Sequence, residues 1–252
     1  MTTLPSDPDM ADRVLMDVGR EAFKHARDLL RAARLILDAG IWSVAYANAA
    51  LALEEIGKGV ICTGILPMPD EERKAEVEAF QRRFTDHEAK SYFAHLVLQM
   101  TEGDGLQTME QAHKGAVRDA RRTNKNKFRG LYVDYKETGH ILKPSDITKA
   151  QATELISTAE KALGLSKDAE EALAQPALYL ALLRRVRAAG SHGVWGDVAG
   201  GIDALLLAMP AVARDEVTPQ EAFQGTPLGA MIESLVLDDL VEEFGTVQGE
   251  GS

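Results

Sequence analysis

A chain of 252 residues, 45% apolar and 27% charged, can bury a substantial core as one large domain, or as one domain with a helical extension. Its single cysteine, Cys62, excludes an internal disulfide framework and a cysteine-built zinc site. The net charge of −11 is uneven: residues 215–252 hold nine acids and no Lys or Arg, while the other 214 hold 28 basic and 30 acidic residues, so overall acidity does not exclude nucleic acid.

Alanine and leucine abound, aromatics are sparse at 6%, and runs of β-branched residues are missing, which predicts an all-α protein. The first ten residues are polar and lack the pattern of a signal peptide. The longest apolar run, 204–213, is too short for a membrane span and contains Pro210. The expectation is a cytoplasmic protein with no membrane partner.

Taken in chain order, a first helix is predicted over 8–39, capped by Asp7 with Pro8 at its first position and stopped by Gly40. A second follows over 41–63, with Trp42, Ala45, Tyr46, Ala49, Leu53, Ile56 and Val60 on one apolar face. The one-residue gap at Gly40 predicts a tight antiparallel hairpin. Asp70 opens a third helix extending to about Met100, with Phe80, Phe84, His87, Ser91, Ala94 and Leu98 on one face. A basic helix is expected over 109–124, then an irregular stretch to Pro144. Ser145 is expected to cap a helix ending near Leu163, and another covers 167–189 with a kink at Pro176. The five glycines between 190 and 201 mark a linker. The expected organisation is therefore a helical domain over 1–189 and a glycine-rich connection with an acidic helical extension over 190–252, which has room to pack on the same core.

Chemistry concentrates on the second and third helices. Arginine followed five positions later by histidine occurs three times, as Arg20/His25, Arg82/His87 and Arg187/His192. Context favours His87, which shares an apolar face with Phe80 and Phe84. In an unbroken helix Arg83 lies about 40° from His87, Lys90 about 60° and Arg82 about 140°, so spacing names Arg82 and geometry names Arg83. On the second helix Glu54 and Lys58 read as a surface i,i+4 pair. Asn48 and Glu55 lie closer to the apolar face, where an acid can orient a histidine or arginine. His192, beside Trp195 in the glycine-rich segment, is a reserve candidate with Arg187. Asp134, between Tyr132 and Tyr135, reads as a turn or supporting residue. From 114 to 129, Lys114, Arg118, Arg121, Arg122, Lys125, Lys127 and Arg129 oppose one acid, Asp119, and form a basic stripe suited to RNA.

Three ordered segments resemble a known family: Asn48-x-x-Leu51-x-x-Glu54-Glu55-x-Gly57-Lys58, then Phe80-x-x-x-Phe84-x-x-His87-x-x-Lys90, then Leu131-Tyr132-Val133-Asp134 before a proline. The chain resembles the AbiV-type abortive-infection proteins of the HEPN superfamily over residues 12–165. The resemblance implies a HEPN-like helical bundle that forms a homodimer and takes part in anti-phage defence. It implies metal-independent RNA cleavage, with Arg82 or Arg83 and His87 as the central pair and Glu55, Asn48 and Lys90 in support. RNA is then the substrate, no cofactor or metal is required, and a phage-encoded activator or an antitoxin is a further partner. A non-catalytic HEPN binding module and a dimeric scaffold protein are the alternative readings. The acidic segment after 214 is expected to cover the basic stripe until a partner displaces it.

Overall fold

The computed structural model describes residues 8–66, 84–102, 109–135, 138, 141–174, 176, 179–180 and 183. The proposed caps at Asp7 and Asp70, the residues on either side of Pro176 on which its kink would show, and the whole of 190–252, with its linker and acidic extension, lie outside the described residues.

The described chain is an all-α bundle. Helix α1 (Pro8–Asp38) is followed by α2 (Trp42–Ile65), α3 (His87–Glu102) and α4 (Met109–Leu131). A two-residue antiparallel ladder joins β1 (Asp134–Tyr135) to β2 (Ile141–Leu142), pairing Asp134 with Leu142 and Tyr135 with Ile141. A 3₁₀ turn (Pro144–Asp146) leads to α5 (Lys149–Leu165) and α6 (Lys167–Leu173).

Gly40 sets the first hairpin. Its φ of +80° is costly for a residue with a Cβ. Its N–H donates to Leu37 at 3.0 Å, and Ile41 N–H reaches back to Ile36 at 3.1 Å, a Schellman closure of α1. α2 then runs back along α1. Gly59 lies against the Phe23 ring, and Cys62 faces Gly19, so contacts advance on one helix as they retreat on the other.

α2 is the central element. Alanines and glycines occupy much of its length, and it is buried on most of its circumference, against α1, α3, α4 and α5. Small side chains let these neighbours approach closely. The tightest approach is at Gly57, where a Cβ would stand 1.8 Å from the carbonyl oxygen of Lys90. Leu53, Ile56, Phe23, Leu15 and Ile156 fill the core around it.

Two expectations about boundaries change. The basic helix ends at Leu131 rather than 124, adding nearly two turns. The cap of α5 is Thr148 rather than Ser145: Thr148 Oγ1 accepts from Gln151 N–H, and the Gln151 side chain accepts from Thr148 N–H. That reciprocal pair satisfies two donors at once, and Ser145 sits in the preceding 3₁₀ turn.

The Gly57 approach makes a sharp prediction. Gly57→Ala forces the α2 and α3 backbones apart and should cost more than ~2 kcal/mol of stability by urea denaturation. Gly64→Ala, at a helical position with open space around it, should instead stabilise by roughly 0.5–1 kcal/mol. Similar effects from both substitutions would refute the close approach.

Candidate active site

The site grows from a charge in the wrong place. Glu54 sits midway along the most apolar helix, and its side chain is only 5% exposed. A carboxylate taken out of water needs ionic partners or it is strongly destabilising. Glu54 and Gly57, three residues apart, share the α2 face turned to α3. The missing Cβ at Gly57 lets the start of α3 come down over Glu54.

α3 begins at His87. Asp86 interrupts the preceding helical residues Phe84 and Thr85, and its Oδ1 accepts from the N–H groups of Glu88 at 2.8 Å and Ala89 at 3.2 Å. This is an N-cap. His87 is thus at a helix start rather than in mid-helix, and it is about half exposed rather than largely buried on an apolar face. The break removes the basis for choosing between Arg82 and Arg83 by helical angle, and both residues lie outside the described ones.

Three cationic or protonatable groups converge on Glu54. Lys127 Nζ donates to Oε1 at 2.5 Å, His87 Nδ1 lies 2.6 Å from Oε2, and Lys90 Nζ is 3.5 Å from Oε2. Lys90 and Lys127 are both buried. Burial pushes the Lys90 ammonium below its ordinary pKa, and the nearby Glu54 carboxylate opposes that push. The imidazole meets Phe128 edge-on, with centroids 6.2 Å apart at 89°. Lys127 Nζ sits 4.7 Å from the centroid of the same ring.

The other expected residues fall as follows. Glu55 pairs with Lys58 at 2.5 Å, and Lys58 Nζ also lies 5.3 Å from the Phe84 ring. The expected Glu54–Lys58 surface pair is therefore corrected: Glu54 faces inward, and its neighbour Glu55 takes the lysine. Asn48 Nδ2 donates to Val44 O at 2.9 Å within its own helix. Asp134 pairs through the backbone in the short ladder. His192 and Arg187 lie outside the described residues.

The basic stripe also divides. Lys114, Arg118, Arg121, Arg122 and Lys125 are exposed. Lys127 is not on the exposed stripe, because it faces inward to Glu54. Arg129 is half-buried and tied to Asp146 at 3.0 Å.

Residues 14–164 match the AbiV family of HEPN proteins. The chain belongs to the AbiV HEPN family. No curated protein and no solved structure matched it. Among the described residues of this AbiV chain, no helix is long and apolar enough to cross a membrane.

His95 and the inward-facing role of Lys127, expected on the basic stripe, are not foreseen from the sequence. Lys127 carried a signal: it repeats at helical spacing with Ala112, Ala116, Ala120 and Thr123, all buried. His95 is buried beside Thr123, with Nε2 3.1 Å from Thr123 Oγ1. It lines a polar cleft of about 120 Å³ with Tyr46, Arg122, Asn126 and Glu154. Burial pushes its imidazole down to about 4; Asp119 opposes the shift and Arg122 adds to it. Burial raises the Tyr46 phenol, and hydrogen bonds from Asn126 and Thr123 counter that rise.

These environments yield two predictions. Glu54→Gln leaves two buried ammonium groups short of a counter-charge and should destabilise by ~3 kcal/mol or more. Lys127→Met should cost less, because His87 and Lys90 remain on Glu54. Denaturant midpoints of the two variants give the order, and the reverse order would contradict the convergence.

The second concerns acid. His95 stays neutral in the fold, whereas an unfolded imidazole protonates below about 6.5. The unfolded chain therefore binds more protons as pH falls, and stability drops from about 6.5 down to the folded value of about 4, then levels. Urea titrations at pH 7 and 4.5 should show His95→Gln losing ~2 kcal/mol less than the parent over that interval. Equal losses would refute the assignment.

Proposed function

We propose that this AbiV-family chain is an abortive-infection protein acting as a metal-independent endoribonuclease, with RNA cut by its own 2′-hydroxyl. The observation that carries this reading is His87: a half-exposed imidazole whose Nδ1 is held 2.6 Å from a buried carboxylate. Donation from Nδ1–H to Glu54 fixes the ring's orientation and leaves Nε2 as its basic nitrogen. A base so placed suits proton transfer to and from a bound substrate.

The reaction is balanced without a co-reactant. Nε2 of His87 takes the 2′-hydroxyl proton, the 2′-oxygen bonds to phosphorus, and the P–O5′ bond breaks. A protonated imidazole supplies the proton that the 5′-oxygen needs. In a homodimer the second His87 provides that acid. The products carry a 2′,3′-cyclic phosphate and a free 5′-hydroxyl.

Charge on the phosphoryl oxygens needs a cation. Arg82 or Arg83 suits this role, since a planar guanidinium matches two phosphate oxygens. Lys58, Lys90 and Lys127 outnumber Glu54 and Glu55 in the ion cluster beneath the ring, while the Asp86 carboxylate beside His87 accepts from the amides of Glu88 and Ala89. Glu54, rather than Glu55 or Asn48, is the positioning residue for His87. The exposed cations of α4 bind backbone phosphate, and the acidic segment after 214 masks them until a partner displaces it.

Purified protein on end-labelled RNA in EDTA tests the reading. The parent should cleave RNA, leave the all-deoxy analogue intact, and yield cyclic phosphate ends. His87→Ala should lose at least ~100-fold in rate. Equal cleavage by His87→Ala, or equal cleavage of the deoxy strand, would overturn it.

A further inference from the structure

We propose that Phe128 and Tyr132 form a nucleobase-stacking platform beside His87, which makes single-stranded rather than duplex RNA the ligand of this face. The inference rests on the ribonuclease reading for its substrate class and adds the strand form and the residues that select it.

The rings are stacked, with centroids 6.3 Å apart and an interplanar angle of 23°. Tyr132 is 60% exposed and Phe128 44%. Such rings lose water-exposed apolar area when a base covers them. Phe128 is anchored from behind by Lys127 and from the side by His87. Tyr132 follows the last residue of α4, and its N–H still donates to Phe128 O at 2.9 Å.

The platform continues a line of cations. At about 100° per residue, Lys114, Arg118, Arg121, Lys125, Phe128 and Tyr132 fall within about 40° of one line along α4. From Lys114 to Tyr132 that line is roughly 27 Å long at ~1.5 Å per residue. Lys114 with Glu110 and Arg121 with Glu88 at 4.0 Å are exposed pairs, whereas Arg118 is tied to the buried Asp119 at 3.1 Å. Exposed pairs contribute little and exchange readily for phosphate. A line of cations that ends in stacked aromatics is the chemistry of single-strand binding. Bases in a duplex are already stacked on one another and cannot reach the rings. The centre of an apolar dimer face is poor in charge, whereas these rings run directly into cations.

The test uses the full chain carrying His87→Ala, so that binding is read without cleavage. The probe is a ten-nucleotide RNA with a central 2-aminopurine, as single strand and as duplex. Expected is at least ~10-fold tighter binding of the single strand, with quenching of the 2-aminopurine. Tyr132→Ala should weaken single-strand binding by roughly 10-fold and abolish quenching, and Tyr132→Phe should restore both. Lys125→Ala should lower affinity for all sequences and flatten the salt dependence by about one phosphate contact.

Equal affinity for duplex and single strand, or an unchanged Tyr132→Ala, overturns the platform. A shift from dimer to monomer in Tyr132→Ala without loss of quenching assigns the rings to a subunit interface and also overturns it. Stacked, tightly bound RNA that the parent chain never cleaves supports the platform while the ribonuclease reading fails. Cleavage that ignores Tyr132→Ala does the reverse.

Discussion

The structure turns on one carboxylate that has no access to water. Glu54 sits on the helix that every major neighbour packs against, at a position where an alanine would suit the surroundings better. Its two oxygens must be occupied from the inside. Lys127 arrives from α4 and Lys90 from α3, and His87 reaches in from the edge. These three contacts join elements that are 33 to 73 residues apart in sequence. A buried ion cluster of this kind is a weak source of net stability, because desolvation offsets most of the attraction. Its effect is to fix register: α3 and α4 cannot slide along α2 without stripping a charge.

That constraint divides α4 into two faces with different work. Ala112, Ala116, Ala120, Thr123 and Lys127 face the bundle. Lys114, Arg118, Arg121 and Lys125 face outward. The lysine that looks, by composition, like one more member of a basic stripe is the one that holds the stripe's helix in place. Lys127 and Phe128 are neighbours in sequence, so the buried ion pair and the exposed ring are set by the same turn. The ammonium that neutralises Glu54 also lies against Phe128, and the same ring touches His87. Orientation of the imidazole, the aromatic surface and the line of cations therefore derive from one packing decision.

Much of the fold was legible from periodicity. The α1–α2 hairpin follows from Gly40, since nothing else in that stretch accommodates a left-handed turn. The all-α class follows from composition. What the sequence hid were choices between adjacent residues. Glu54 and Glu55 differ by about 100° around the helix, and a surface i,i+4 partner at Lys58 made Glu54 look solvated. The tertiary contact at Gly57 decides otherwise, and no local pattern reports it. His87 was found, but its setting was not. The helix pattern through Phe80, Phe84 and His87 is continuous, and only the side chain of Asp86, capping Glu88 and Ala89, shows that the helix starts again there. The expected end of α4 at 124 falls seven residues short of Leu131. Read at helical spacing from Ala112, Lys127 belongs to the buried face, and that spacing alone would have carried the helix further.

The break at Asp86 matters beyond bookkeeping of helix ends. In mid-helix, a histidine on the buried face would be walled in by neighbouring turns. As the first residue of α3, His87 has no preceding turn of its own helix beside it. The ring can then be gripped on one nitrogen by an interior carboxylate while the side chain stays half open to a ligand. The same helix end places partial positive charge near the imidazole, although Asp86 already occupies its first free amides. Three lysines and two glutamates make the ion pairs beneath it, and Asp86 beside it is engaged by the first amides of the helix. A phosphate diester brought alongside finds an oriented base whose orienting acid, Glu54, is buried. The arrangement resolves a conflict intrinsic to such chemistry: a carboxylate is needed to orient the imidazole, yet it would repel the substrate if it were exposed. Burying the acid and leaving only the ring at the surface separates the two effects.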